Sequence, residues 1–239
     1  MLKGIYSAAS GMNFQSKQVE VISQNLANAN TTGFQKSRLI GKSFNDFLLD
    51  MDQPGAVGLG VGIDGLARNK NLGDVLITNN PLNVALRSDG YFLLRDAQGK
   101  EILTRNGNFT LNRDSHLVSQ RGELVLDSER KAIKIEGDPE RLSIHSDGRI
   151  LNGENEVGKL MVVNPPDAAI TNFPLAPAGL NAVANAVVQH KAIEESNVEI
   201  IGEMVALLDA NRNYGFAQKA ITTQDNILNK TANDLGRIQ

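Results

Sequence analysis

The sequence predicts an α+β fold, with long N- and C-terminal helices paired as a coiled-coil domain and a central antiparallel all-β domain between them. Three observations carry this. Near the N-terminus, Ile5, Met12, Val19 and Leu26 recur every seventh residue, with Ala8 or Ala9, Gln15, Ile22 and Ala29 interleaved. Near the C-terminus, Ile200, Leu207, Tyr214, Ile221, Leu228 and Leu235 keep the same period, with Met204, Asn211, Gln218 and Ala232 interleaved. Between these ends the pattern changes to short apolar runs separated by turn residues. Apolar residues at a seven-residue period form a narrow stripe along a helix, which is buried only against another helix. Two such stripes at opposite ends of one chain point to a composite domain closed by both termini.

The first helix is expected over residues 4 to about 29, roughly 39 Å at ~1.5 Å per residue, with a weak point at Gly11. Asn28, Asn30, Thr31, Thr32 and Gly33 form a turn-rich stop, and Gly33 suits a positive φ. Residues 34–75 are read as a connecting segment. Within it, Ser43 to Met51 suits a short amphipathic piece around Phe44, Phe47, Leu48 and Leu49. A Gln53-Pro54-Gly55 turn follows. Gly58, Gly60, Gly62 and Gly65 then alternate with Leu59, Val61, Ile63 and Leu66, a pattern of extended chain at a surface.

From Asp74 to about Val163, candidate strands are Val75–Thr78, Asn83–Ala85, Tyr91–Arg95, Ile102–Arg105, Phe109–Leu111 and Leu117–Val118. Leu124–Leu126, Ile133–Ile135, Ser143–His145, Ile150–Leu151 and Lys159–Val163 continue the series. Turns at Ser88-Asp89-Gly90, Asn106-Gly107 and Ser146-Asp147-Gly148 recur too often for βαβ units, so the strands are antiparallel. Pro165-Pro166, Pro174 and Pro177 mark a linker, followed by a polar stretch. The long C-terminal helix starts near Ser196, with Ser196 or Asn197 as N-cap and Glu199 in the favourable first turn. The division is therefore 1–33 with 196–239 as the helical domain, 34–75 as the connection, and 76–195 as the β domain with its return linker.

Composition narrows the function. The 239 residues are 41% hydrophobic and 21% charged, enough for real cores. A formal net charge of -3 with no Lys/Arg cluster argues against nucleic acid. Cysteine is absent, which excludes disulfides, thiolate metal sites and Cys nucleophiles. No run approaches the ~20 apolar residues of a membrane span, so no membrane insertion is expected. The N-terminus does not read as a secretory signal: Lys3 leads into Ser7, Ser10, Asn13 and Gln15 and not into an apolar stretch.

No catalytic constellation stands out. Gly41-Lys42-Ser43 resembles the end of a phosphate loop, but Lys36 stands where that motif needs glycine. Gly58, Gly60 and Gly62 lack the third glycine and following helix of a dinucleotide fingerprint. His116, His145 and His190 are scattered and have no metal-ligand spacing. Ser143, His145 and Asp147 fall across a strand end and its turn, which suits a surface better than a triad. The expectation is a non-enzyme with no cofactor and no metal. On the C-terminal stripe, Tyr214 reads as a core knob with its hydroxyl at the rim. Asn211 and Gln218 are either polar register-setting core positions or solvent-facing residues beside a drifting seam.

One segment is specific. Val21-Ile-Ser-Gln-Asn-Leu-Ala-Asn-Ala-Asn-Thr-Thr-Gly-Phe-Gln-Lys36 resembles the N-terminal signature of the bacterial flagellar rod and hook family, centred on Asn25, Leu26, Asn28, Asn30, Thr32, Gly33 and Phe34. Gln35 stands where that family usually has a basic residue. Asn83 to Phe92 with Thr104 to Thr110 resembles the family's central β domain. Glu195-Ser-Asn-Val198 and Glu203 to Tyr214 resemble its C-terminal helix.

The resemblance implies a non-enzymatic subunit of the basal-body rod that polymerises helically through its terminal helices into a hollow periplasmic shaft. That shaft transmits torque and passes exported proteins. It implies export through the flagellar type III apparatus without a cleaved signal peptide, and partners among copies of itself, other rod and hook proteins and surrounding ring proteins. One modest β domain fits rod better than hook; proximal and distal rod both stay open. A transient assembly factor or rod-cap relative is the alternative.

Overall fold

Among the described residues, an N-terminal and a C-terminal helix precede and follow an antiparallel β region along the chain, giving an α+β fold. The computed structural model describes residues 2–43, 60–165, 181–183 and 186–236. The expected amphipathic piece after Ser43, the Gln53-Pro54-Gly55 turn, Gly58, and the prolines at 166, 174 and 177 lie outside the described residues. The chain divides into two compact units: Met1–Ala27, Ser37–Ala67 and Glu199–Gln239 in one, Asn28–Lys36 and Arg68–Val198 in the other.

In the first unit, helix α1 (Leu2–Ala27) packs along helix α2 (Ile200–Gly236). Asn25 of α1 meets Glu203, and Gly4 lies against Gln224. Equal lengths of helix separate these two contacts, so the helices run antiparallel and in register. The covered stripe of α2 is Glu203, Leu207, Ala210, Ala217, Ile221, Gln224 and Leu228. Leu207, Ile221 and Leu228 are the expected seam positions. The residues between them differ from the expectation by one place. Glu203, Ala210 and Ala217 turn inward, and Met204, Asn211 and Gln218 are exposed. The reason is size. Glycines and alanines allow two helix backbones to approach closely, so the packed face selects Ala210 over its more conspicuous neighbours. Asn211 donates to the Leu207 carbonyl of its own helix at 2.9 Å, a local bond of exposed amides.

The strands Ser37–Ser43 and Val61–Arg68 pair into a two-stranded sheet. Within this unit, the Phe14 ring lies against Gly41, and the Ser10 hydroxyl accepts from the Val61 N–H at 3.2 Å. The Gly60 backbone passes so close to Ser10 that a Cβ there would collide with the hydroxyl. Among the described residues no helix is long and apolar enough to cross a membrane.

In the second unit, Tyr91–Arg95 is the hub of a seven-stranded antiparallel sheet. It pairs with Glu101–Thr104, Leu124–Val125 and Val162–Asn164. Its run Tyr91-Phe-Leu-Leu94 is buried on both faces, so it shows no alternation. Phe92 and Phe109 meet edge-to-face at 5.4 Å, the arrangement ring quadrupoles favour. Leu142–Ile144, Arg149–Asn152 and Asn155–Lys159 form a separate three-stranded sheet with a bulge between Ile150 and Leu151.

Ile133–Ile135, expected as a strand, instead makes an isolated bridge. Ile133 bonds to Leu117 on one side and Val125 on the other, so the segment wedges between two strands and joins neither ladder. The expected strand Lys159–Val163 is divided between two sheets. The polar stretch before α2 holds two strands absent from the expectation, Val188–His190 on Val84–Leu86 and Ala192–Glu194 on Val75–Ile77. Lys191, at φ 57, makes the turn between them.

Candidate assembly site

The signature seen in the sequence is split between the two units, and each half is built around buried polar side chains. In the helical unit, Val21 and Ile22 are buried beside Asn25, which is 1% exposed. The Asn25 amide donates to the Ser37 carbonyl at 2.8 Å and to Glu203 Oε2 at 3.0 Å, and its Oδ1 accepts from the Ser37 N–H at 2.9 Å. One short side chain thus ties α1, the first strand and α2. Ile5, Met12, Val19 and Leu26 lie half-buried along α1.

In the β unit, residues 28–36 are held by backbone and side-chain bonds. Thr31 N–H donates to the Asn28 carbonyl, and the Thr31 hydroxyl lies 3.2 Å from Asn28 Oδ1. Asn30 is exposed and Phe34 half-buried. The Thr32 hydroxyl donates to Asn106 Oδ1 at 2.8 Å, and Gly33 N–H donates to the Glu194 carbonyl at 2.8 Å. Asn197, expected as an N-cap, clamps this segment instead. Its Oδ1 accepts from Lys36 N–H at 2.7 Å, and its Nδ2 donates to the Asn69 and Asn71 carbonyls. The helix therefore starts without its side chain, at Ile200.

Gly33 has φ 66, as its turn position suggests. A Cβ there would strike the backbone at Arg105 and Asn106. Gly33→Ala is expected to destabilise the β unit by more than the roughly 1–2 kcal/mol that left-handed backbone alone costs a residue with Cβ. Gly33→Asn, which tolerates that φ but keeps the Cβ, should do no better. Equal stability of the asparagine variant and the parent in urea unfolding would refute the collision.

Beneath the segment lies a fully buried ion pair that the sequence reading missed. Arg105 and Glu194 are each 2% exposed, with Nε to Oε2 at 2.7 Å. The guanidinium also donates to the carbonyls of Gly90 at 2.8 Å, Ser88 at 3.1 Å and Leu86 at 3.4 Å. Glu194 Oε1 accepts from Gly73 N–H at 3.2 Å. The Arg105 guanidinium carbon sits 5.9 Å from the Tyr91 ring centroid, within cation–π range. Tyr91 donates its hydroxyl proton to Gln35 Oε1 at 2.6 Å. Burial pushes the Tyr91 hydroxyl above its ordinary range, against the lowering pull of Arg68, Arg105 and Lys70. These bonds hold the Arg105 guanidinium, the Glu194 carboxylate and the Tyr91 hydroxyl in place.

On α2, Ile200, Met204, Tyr214 and Gln218 lie exposed, and Ile201, Val205, Leu208 and Phe216 add to the uncovered apolar surface. Leu235 sits on the last turns of that helix. Among the described residues no group of three or more His, Asp or Glu side chains is placed to hold a metal ion.

Three family models match this chain. One described as flagella basal body rod protein covers residues 5–35, and one described as flagellar hook protein FlgE/F/G D1 domain covers 85–152. One described as flagellar basal body rod FlgEFG protein C-terminal covers 189–235. The chain is 30% identical to the flagellar basal-body rod protein FlgG of Caulobacter vibrioides, over 97% of this chain and 98% of the relative. It is 29% identical to FlgG of Bacillus subtilis, over 98% and 99% respectively. It is 27% identical to the basal-body rod protein FlgF of Caulobacter vibrioides, over 93% of each. With near end-to-end likeness at this identity, the chain belongs to the flagellar basal-body rod protein family.

Proposed function

We propose that this chain is a structural, non-enzymatic subunit of the bacterial flagellar basal-body rod, polymerising through its terminal helices into the hollow shaft that carries torque. The observation that carries this is the apolar surface left uncovered on α2. Ile201 is 74% exposed, with Met204, Val205 and Leu208 beside it at helical spacing, and Phe216, 64% exposed, lies about two turns further along. A contiguous apolar helix face on a single chain marks a surface that is buried elsewhere. A subunit repeated head-to-tail buries such a face without closing into a small oligomer. The covered stripe of α2 runs in steps of four and three residues on either side of one seven-residue step, from Ala210 to Ala217 past the exposed Tyr214, which supports reading the pair with α1 as a short antiparallel coiled coil.

Its partners are other copies of itself, neighbouring rod and hook proteins and the surrounding ring proteins. It reaches the periplasmic rod through the flagellar export apparatus. Stiffness arises from many weak helix contacts summed along the tube. Leu207→Asp or Leu26→Asp puts a carboxylate on the helical seam and is expected to abolish assembly and motility, with the β unit still folded. Counting this chain by quantitative mass spectrometry in purified hook–basal bodies tests the reading directly. Stable recovery in layer-sized copy number supports it. Absence from the particle, or motility unchanged in both aspartate variants, would move the transient assembly factor to the front.

A further inference from the structure

We propose that the helical unit carries a hinge at the level of Gly11 and Gly215, about which α1 and α2 bend together. Asn25 meets Glu203 and Gly4 meets Gln224, contacts set 21 residues apart on both helices. That register places Gly11 opposite Ala217. Gly215 lies two residues from that point, roughly 3 Å along the axis. Neither glycine is required by its surroundings. Neither has a positive φ, and a Cβ at either would meet no atom within 4 Å. Gly4 differs, since a Cβ there would strike the Gln224 side chain. Glycine inside a helix weakens it relative to alanine, through backbone freedom. With no turn and no close approach to serve, what these two positions supply is the freedom to bend.

Two further observations fall at the same level. Ser10 precedes Gly11, and its hydroxyl donates to the Ser7 carbonyl at 2.9 Å while accepting from the Val61 N–H at 3.2 Å. Helices bend at Gly/Ser pairs and where a serine bonds back to the preceding turn. The packed stripe of α2 is also interrupted here. Between Ala210 and Ala217 the seam position belongs to Tyr214, which is exposed. A stretch with few buried apolar contacts opens more readily than its flanks. To one side, Asn25 ties α1 to Glu203 of α2 and to Ser37. To the other, Gly4 packs on Gln224. The hinge divides the exposed apolar surface of α2, with Ile201, Val205 and Leu208 before it and Phe216 and Ile227 beyond it. Bending changes the angle between these two patches, so one chain can present them to neighbouring copies in more than one relation. That use rests on the assembly reading; the hinge itself does not.

Amide hydrogen exchange of the full chain, at a concentration where it is a monomer, tests the hinge. Protection factors at 11–15 and 215–219 should form a local minimum, below those at 18–22, 206–210 and 221–225. The double variant Gly11→Ala/Gly215→Ala should fill that minimum, slowing exchange about four- to fivefold for each glycine replaced, with little change at 206–210. Protection that rises smoothly from the helix ends towards Asn25, or alanines that slow exchange evenly along both helices, would overturn the hinge. The same double variant should reduce motility although its helical unit is the more stable, a loss that a merely structural role for the glycines would not produce. A filled minimum with motility like the parent's would overturn the use of the hinge in assembly. Because exchange is read on the free chain, failure of the assembly reading itself leaves the first result untouched.

Discussion

Arg105→Met is expected to cost the β unit about 3–5 kcal/mol, because it leaves Glu194 charged and buried without its partner. The loss is compound. The guanidinium also serves the carbonyls of Gly90, Ser88 and Leu86, and those three acceptors fall silent with it. Against the roughly 5–15 kcal/mol that holds a typical domain together, this is enough to leave the unit partly unfolded at ambient temperature. Arg105→Lys should recover little: an ammonium is a point donor and cannot span a carboxylate and several carbonyls at once. The double variant Arg105→Met/Glu194→Gln should be more stable than Arg105→Met alone, since the stranded charge is removed. Urea unfolding of the parent, Arg105→Met, Glu194→Gln and the double variant, followed by backbone amide signals of the β unit, closes the cycle. Additive losses in the double variant would show that the pair is not coupled and that the burial argument is wrong.

That ion pair shows where sequence reading stops. Arg105 and Glu194 are 89 residues apart, and no local pattern announces their meeting. Arg105 lay at the end of a candidate strand, and Glu194 lay in a stretch read as polar linker. The strand Ala192–Glu194 is only three residues long, and its one apolar neighbour pair could not show alternation. By contrast, Tyr91–Arg95 and Phe109–Leu111 were legible to the residue, because burial is written into local hydrophobicity and their ends into turn residues. The helices were legible for the same reason, but their facing positions were not. A stripe argument ranks positions by apolar size and period, and so favoured Met204 and left Asn211 and Gln218 open between seam and solvent. The packed interface is set by how closely two backbones approach, which favours Ala210, Ala217 and Gly4. Asn197 was legible as important and misread in role, since a helix cap and a loop clamp use the same short amide.

The second large effect is expected at Asn25, where substitution should weaken the helical unit without touching any apolar contact. Asn25→Leu keeps the branching at Cγ, with bulkier methyl groups, but removes three bonds. It removes the partner that Asn25 gives the Ser37 N–H, the Ser37 carbonyl and Glu203 Oε2, at about 0.5–1.5 kcal/mol for each hydrogen bond lost. Asn25→Asp separates charge from size. It keeps the acceptor that Ser37 N–H needs and replaces the donor that faced Glu203 by a second carboxylate. Two buried carboxylates hold a shared proton more readily than either does in the unfolded chain. The folded variant then binds more protons than the unfolded one, so its stability falls as pH rises through the acid range. Thermal unfolding at 222 nm should therefore show Asn25→Leu weakened across the pH range, with the shallower pH dependence of the two variants. Asn25→Asp should be weakened most at neutral pH and should approach the parent as acid is added. A defect in Asn25→Asp that ignores pH would place Glu203 away from this side chain in solution and would remove the polar tie between the helices. Because a family signature and a buried three-way junction coincide at this residue, the same two variants report on assembly: both should impair motility, with Asn25→Asp the more severe at neutral pH.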